Sequence, residues 1–190
     1  RVLAGPGLPL FLLGHSLGGL VTAASVTADP GGVAGVVLTS PALPAPGNAA
    51  TLAVTRALAA ARPTGRSPFG APPTAEKAFR PHPGAPAVAA PLPPFTNLLV
   101  ATALQAVTVM WRGLPSWTAP TLVVHGTDDD VPVQVPEQLL AGTNAHDRTL
   151  HIVPGGRHEL LNDLDGQQTL EVVVRWIDER AGAGAGAGSD

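Results

Sequence analysis

A serine framed by glycines, Gly14-His15-Ser16-Leu17-Gly18-Gly19, stands between an apolar run that reads as a strand and an apolar run that reads as a helix. A strand that turns at once into a helix leaves room only for small side chains two residues either side of the serine, so glycine is expected at 14 and 18. Such a turn lifts the Ser16 hydroxyl out of the sheet and makes it a candidate nucleophile. It also leaves the backbone N–H of Leu17 at a helix start, where it can donate to a developing oxyanion. The flanks suit the turn. Leu8 to Leu13 is a short continuous apolar run of the kind buried in a parallel sheet, and Leu17 to Ala28 is small or apolar almost throughout, closed by Asp29-Pro30-Gly31-Gly32.

Beyond this helix, Val33 to Thr39 is apolar and rich in β-branched residues, and predicts a second buried parallel strand reached by a helical crossover. From Pro41 to about Ala119 prolines and glycines crowd the chain, and only Ala49 to Ala61 and Phe95 to Arg112 look helical. In the second of these, Asn97, Gln105, Thr108 and Arg112 leave a narrow polar stripe opposite a broad apolar face. Strand character returns at Pro120 to His125. A short helix over Pro136 to Ala141, a fourth strand over Thr149 to Val153 and a closing helix over Gln167 to Arg180 follow. In that last helix Leu170, Val173, Val174 and Ile177 form the expected apolar stripe, with Glu171 placed to pair with Arg175. The fold class is therefore α/β, a mostly parallel sheet with crossover helices. Residues 1–40 and 120–180 form its core, 41–119 an inserted lid or cap, and 181–190 a flexible Gly/Ala tail.

Composition narrows the function classes. With 45% hydrophobic residues in 190, the chain can build one sizeable core. Only 13% of residues are charged and the formal net charge is −3, without a basic cluster, which argues against nucleic acid as a partner. The absence of cysteine excludes disulfides, thiolate metal sites and a cysteine nucleophile. No apolar stretch is expected to reach the roughly 18 to 20 residues that span a bilayer, and no charged leader with an apolar core opens the chain at Arg1.

A serine hydroxyl is a poor nucleophile near neutral pH, so Ser16 requires a histidine in hydrogen-bonding reach and an acid to hold that histidine. In an open α/β sheet both belong just past the carboxyl ends of strands. Asp128, Asp129 and Asp130, after the third strand, all qualify by position. Three adjacent carboxylates cannot all be buried, so one is expected to be buried and hydrogen-bonded. For the base, Pro154-Gly155-Gly156-Arg157-His158-Glu159 places His158 beyond the fourth strand. His151 lies inside that strand, His125 precedes a tight turn, His82 and His146 sit in polar or Pro-rich surroundings, and His15 is expected to pack beneath the site. The chain order serine, aspartate, histidine is that of the α/β-hydrolase topology. Serine at the elbow also argues against dehalogenases and epoxide hydrolases of this fold, whose nucleophile is aspartate.

The motifs GHSLGG at Gly14 to Gly19, GVVLTSPAL at Gly35 to Leu43, PTLVVHGTDDDV at Pro120 to Val131 and PGGRHELLND at Pro154 to Asp163 together resemble the monoacylglycerol lipase-like serine hydrolases of the α/β-hydrolase superfamily. Resemblance to that family implies Asp129 as the acid and His158 as the base. It further implies hydrolysis of monoacylglycerol or lysophospholipid-type esters through an acyl-enzyme on Ser16, with no metal or organic cofactor, and peripheral membrane contact through the lid. A general carboxylesterase, a peptidase or a haloperoxidase would present the same elbow, and a degenerate binding scaffold could retain it. Family members have an earlier H-G loop that gives the second oxyanion donor, together with further strands. The 190 residues contain neither, so they are expected to be a fragment, poorly soluble and weakly active alone.

Overall fold

The computed structural model describes residues 8–44, 47–83 and 93–185. Its elements, in order, are β1 (Phe11–His15), α1 (Leu17–Ala28), β2 (Gly35–Thr39), α2 (Ala49–Ala61), α3 (Ala75–Ala78), α4 (Asn97–Gly113), β3 (Thr121–Gly126), α5 (Gln134–Gly142), β4 (Arg148–Val153) and α6 (Gly166–Ala185), with a 3-10 turn at Leu114–Ser116. The four strands form one parallel sheet in the order β1-β2-β3-β4. Every residue of β2 and β3 is buried, as befits central strands covered on both faces, whereas the outer strands β1 and β4 are only partly covered. His15 stands opposite Thr39, Thr39 opposite Val124 and Val124 opposite His151, so the carboxyl ends lie level and the loops after them converge.

Alternation along β2 sends its side chains into two apolar layers. Val36 and Leu38 pack with Val123, α1, α4 and α5, around Leu20, Val26, Met110 and Trp117. Val37 packs with Leu122, Val124 and α6 through Val173 and Trp176. The helix α4 joins the first layer with Val107 and Met110, both fully buried, and Leu114 follows them. Its leading half also reaches the site, where Leu99, Ala103 and Leu104 line a cavity beside Ser16.

Several expectations change. By length and composition, Asn97–Ser116 is long and apolar enough to cross a membrane, with 20 residues and a mean hydropathy of 1.3, where the sequence suggested no such stretch. Asn97, Gln105, Thr108 and Arg112 interrupt the run without lowering its average hydropathy below what such a crossing requires. One member of the supposed polar stripe, Asn97, is buried, and its Nδ2 donates to the Arg62 carbonyl at 2.9 Å. The closing helix is also rotated from the expected stripe. Thr169, Val173 and Trp176 are buried while Leu170 and Val174 are about half exposed, because the aromatic Trp176, stacked under Arg180 and edge-on to Phe11, buries more surface than either aliphatic residue. Glu171 accepts from Gln167 Nε2 at 3.0 Å instead of pairing with Arg175. Finally, α6 continues to Ala185, five residues into the Gly/Ala tail, since alternating alanines let an established helix propagate; residues 186–190 lie outside the described residues.

Candidate active site

Ser16 sits between the last residue of β1 and the first of α1 with φ 51° and ψ −121°, a conformation that L-residues rarely adopt. Four hydrogen bonds hold it there. Its N–H donates to the Thr39 carbonyl at 3.1 Å, and its carbonyl accepts from Gly19, Leu20 and Ala42. At Gly14 a Cβ would fall 2.5 Å from Thr22 Oγ1 and 2.6 Å from the Gly18 carbonyl oxygen, so that glycine is a steric requirement. Gly18 is different, because a Cβ there meets nothing within 4 Å. The crowded position on the helix side is Gly19, where Pro41 Cβ would lie 2.8 Å away. The neighbour that excludes a side chain therefore comes from the loop after β2 and not from the turn itself.

The loops after β3 and β4 bring Asp129 and His158 to this serine. His158 Nε2 lies 2.7 Å from Ser16 Oγ, and Nδ1 lies 3.1 Å from both carboxylate oxygens of Asp129. A carboxylate only accepts, so Nδ1 carries the proton and Nε2 offers its lone pair to the Ser16 hydroxyl. The Asp129 side chain is wholly buried, while Asp130 is 58% exposed and bonded to Lys77, which singles out one carboxylate of the three. Burial pushes the Asp129 carboxyl up, but the His158 hydrogen bond, the Val131 N–H at 3.0 Å and the charge of the imidazole outweigh it and hold the carboxyl below its ordinary value. For His158, burial acts downward; the hydrogen bond and charge of Asp129, with the charges of Glu159 and Asp130, win and raise it. Leu17 occupies the first position of α1, where a backbone N–H has no acceptor within the helix.

The surrounding residues were only partly readable from sequence. His15 does not pack beneath the site: its Nδ1 lies 3.1 Å from both the carbonyl oxygen and Oγ1 of Thr39, and its Nε2 lies 3.2 Å from Glu159 Oε1, with its ring 5.2 Å from that of His158. It bridges polar groups because the strand end points it sideways along the rim of the sheet. His125 is fully buried and donates Nε2–H to the Val131 carbonyl at 2.7 Å, bracing the turn that holds Asp129. Ser40, also at positive φ, ends β2 with a buried hydroxyl that has no partner at bonding geometry yet lies near enough to Asp129 to favour the carboxylate further. Its place after a strand was visible in the sequence, but its backbone conformation was not. His82 and His146 are exposed. Among the described residues no cluster of three or more histidine, aspartate or glutamate side chains could hold a metal ion.

A cavity of about 350 Å³ opens beside Ser16 and Leu17. Its walls are Leu20, Phe69, Phe95, Leu99 and Val107 among others, with no charged side chain among the described residues.

The family model described as serine aminopeptidase, S33, matches residues 2–165, a span that contains Ser16, Asp129 and His158. The chain belongs to this family. Among curated relatives, it is 30% identical to the monoacylglycerol lipase of Mycolicibacterium smegmatis over 180 residues, covering 90% of this chain and 63% of that protein. It is likewise 30% identical to the human monoglyceride lipase over 199 residues, covering 97% of this chain and 63% of the relative. The chain thus spans less than two thirds of either relative's length. Its fold is that of an α/β-hydrolase: the crystal structure of Paleococcus ferrophilus monoacylglycerol lipase matches with a TM-score of 0.73 at 23% identity, over 92% of this chain and 70% of that one.

Proposed function

We propose that the chain carries the triad of a serine ester hydrolase, with Ser16 as nucleophile, His158 as general base and then acid, and Asp129 as the group that fixes the imidazole and stabilises its charge. The observation that carries this reading is the continuous line Asp129–His158–Ser16 ending at the mouth of an uncharged cavity. Ser16 Oγ forms a bond to the ester carbonyl carbon while its proton passes to His158 Nε2. The tetrahedral oxygen takes its negative charge toward the Leu17 N–H at the start of α1. Collapse releases the alcohol, which leaves with the proton from His158, and the acyl group remains on Ser16. Water, deprotonated by His158, then frees the acid and restores the hydroxyl. Residues 41–119 act as the lid or cap in this reading, although α4 from Val107 onward already belongs to the core.

The substrate we favour is a monoacylglycerol or lysophospholipid-type ester. An acyl chain suits an apolar cavity of this volume, which offers nothing to neutralise a charged group. An aminopeptidase would need a carboxylate to receive the substrate's ammonium, and among the described residues the lining carries none. Exposed Leu98 and Val109 on α4 are consistent with peripheral contact between the lid and a lipid surface.

A fluorophosphonate probe tests the chemistry in the full-length protein: wild type is expected to be modified at Ser16, and Ser16→Ala is not. Absence of an adduct at Ser16 in wild type would favour the binding-scaffold reading. With p-nitrophenyl esters of increasing chain length, assayed beside monoacylglycerols, kcat/KM is expected to rise with chain length. Equal rates at every length would count against an acyl-chain cavity.

A further inference from the structure

The two peptide N–H groups that flank His158 both lead to one short stretch of the insertion. The Glu159 N–H donates directly to the Ala78 carbonyl at 2.6 Å, and the Arg157 N–H donates to Asp163 Oδ2 at 2.8 Å. Asp163 is in turn held from the insertion. Its Oδ1 accepts the Arg80 backbone N–H and Arg80 Nε, each at 2.8 Å, besides the Leu164 N–H at 2.7 Å. The guanidinium of Arg80 reaches on to Asp165 Oδ2 at 2.8 Å. In the opposite direction the Arg157 guanidinium donates to the carbonyls of Glu76 and Phe79. Lys77 meets Asp130, next to Asp129, at 2.8 Å.

We propose that Arg80 and Asp163 are positioning residues for His158, clamping the loop that carries the imidazole to the insertion so that both are set by one joint. The Asp163 side chain has no exposed surface, and four donors converge on its two oxygens. Burial favours its protonated form; the Arg80 hydrogen bond and the three backbone N–H groups overcome this and keep it ionised. A carboxylate held only for stability could sit anywhere in the fold. This one closes the segment 157–163 from within by accepting from the N–H of Arg157, the neighbour of His158, and its main partner lies 83 residues away in sequence. Arginine suits the task because its planar fork fixes direction as well as charge. Displacing a reacting group by about 1 Å is enough to cost roughly a hundredfold in rate. The catalytic consequence rests on the triad reading above; the geometry of the clamp does not.

The test compares wild type with Arg80→Ala, Arg80→Lys and Asp163→Asn in the full chain. It reads thermal melting by circular dichroism, the rate constant for fluorophosphonate labelling of Ser16, kcat and KM on a short p-nitrophenyl ester, and the ring ¹⁵N resonances of His158. At a temperature where it remains folded, Arg80→Ala is expected to label at least tenfold more slowly, with kcat reduced in proportion, KM within twofold and the His158 resonances displaced. Arg80→Lys, which keeps the charge but loses the fork, is expected to recover part of the rate. A folded Arg80→Ala with wild-type labelling and unmoved His158 resonances overturns the proposal. If Arg80→Ala does not fold, the same criteria apply to Arg80→Lys and Asp163→Asn. Failure of wild type itself to label would sink the hydrolase reading, and the His158 resonances alone would then decide the clamp.

Discussion

At the level of single residues, the imidazole of His158 has a fixed polarity: Nδ1–H donates to the Asp129 carboxylate and Nε2 faces Ser16. Asparagine at 129 would offer an N–H where the ring expects an acceptor, favouring the opposite tautomer. Asp129→Asn is expected to lower kcat by about 10⁴-fold with little change in melting temperature, measured by steady-state kinetics beside calorimetry. The pH dependence has a definite sign. In the proposed mechanism only neutral His158 can accept the serine proton, and its pKa is raised, chiefly by Asp129 against the effect of burial. The acid limb of kcat/KM is therefore expected above the ordinary imidazole value of about 6.5, and activity should rise as pH climbs through it. The same raised pKa stabilises the fold while the ring is protonated below its unfolded value, and that contribution is lost as pH rises through the folded one. Ser16, Asp129 and His158 were legible because each is embedded in a local motif tied to a strand end. Arg80 was not, since nothing near it in sequence signals a partner 83 residues on. His15 was misjudged because its neighbours Thr39 and Glu159 come from two other strand ends.

Elements were read well where periodicity and punctuation coincide. The helices Leu17–Ala28 and Ala49–Ala61 run between the residues expected, bounded by Ser16 and Asp29 and by Asn48 and Arg62. Faces were harder, because a stripe of small aliphatics competes with a single tryptophan only through tertiary packing, as α6 shows. The glycine frame around Ser16 carries the same lesson: spelling pointed to Gly18, whereas Pro41 decides that Gly19 is the crowded site. A further close approach joins the acid and base loops directly. A Cβ at Gly126, the last residue of β3, would collide with the backbone carbonyl of Gly156, two residues before His158. Gly126→Ala must push these loops apart. We expect a loss of about 1–3 kcal/mol by urea denaturation, together with a larger fall in kcat than in KM, since overpacking here displaces the groups that react. Gly18→Ala, with open space around it, is expected to leave both quantities near wild type.

On the scale of the whole molecule, α4 ties the insertion to the core, one half lining the cavity and the other filling the larger apolar layer. Met110 is the clearest handle on the second role, being fully buried. Met110→Ala is expected to cost about 2–5 kcal/mol in urea denaturation while leaving the chain-length preference unchanged, whereas Leu104→Ala on the cavity wall should do the reverse. The overall architecture was legible from alternating strand and helix patterns; the double duty of α4 was not, because one amphipathic pattern serves a wall and a core equally well. One consequence follows from the sheet itself. Its strands lie side by side in the order in which the chain is made, with Ser16 after the first and His158 after the last. On the proposed triad, Ser16 is expected to stay unreactive until β4 docks beside β3, so a covalent probe added during refolding acts as a clock for the docking of β4 rather than for the pairing of β1 with β2.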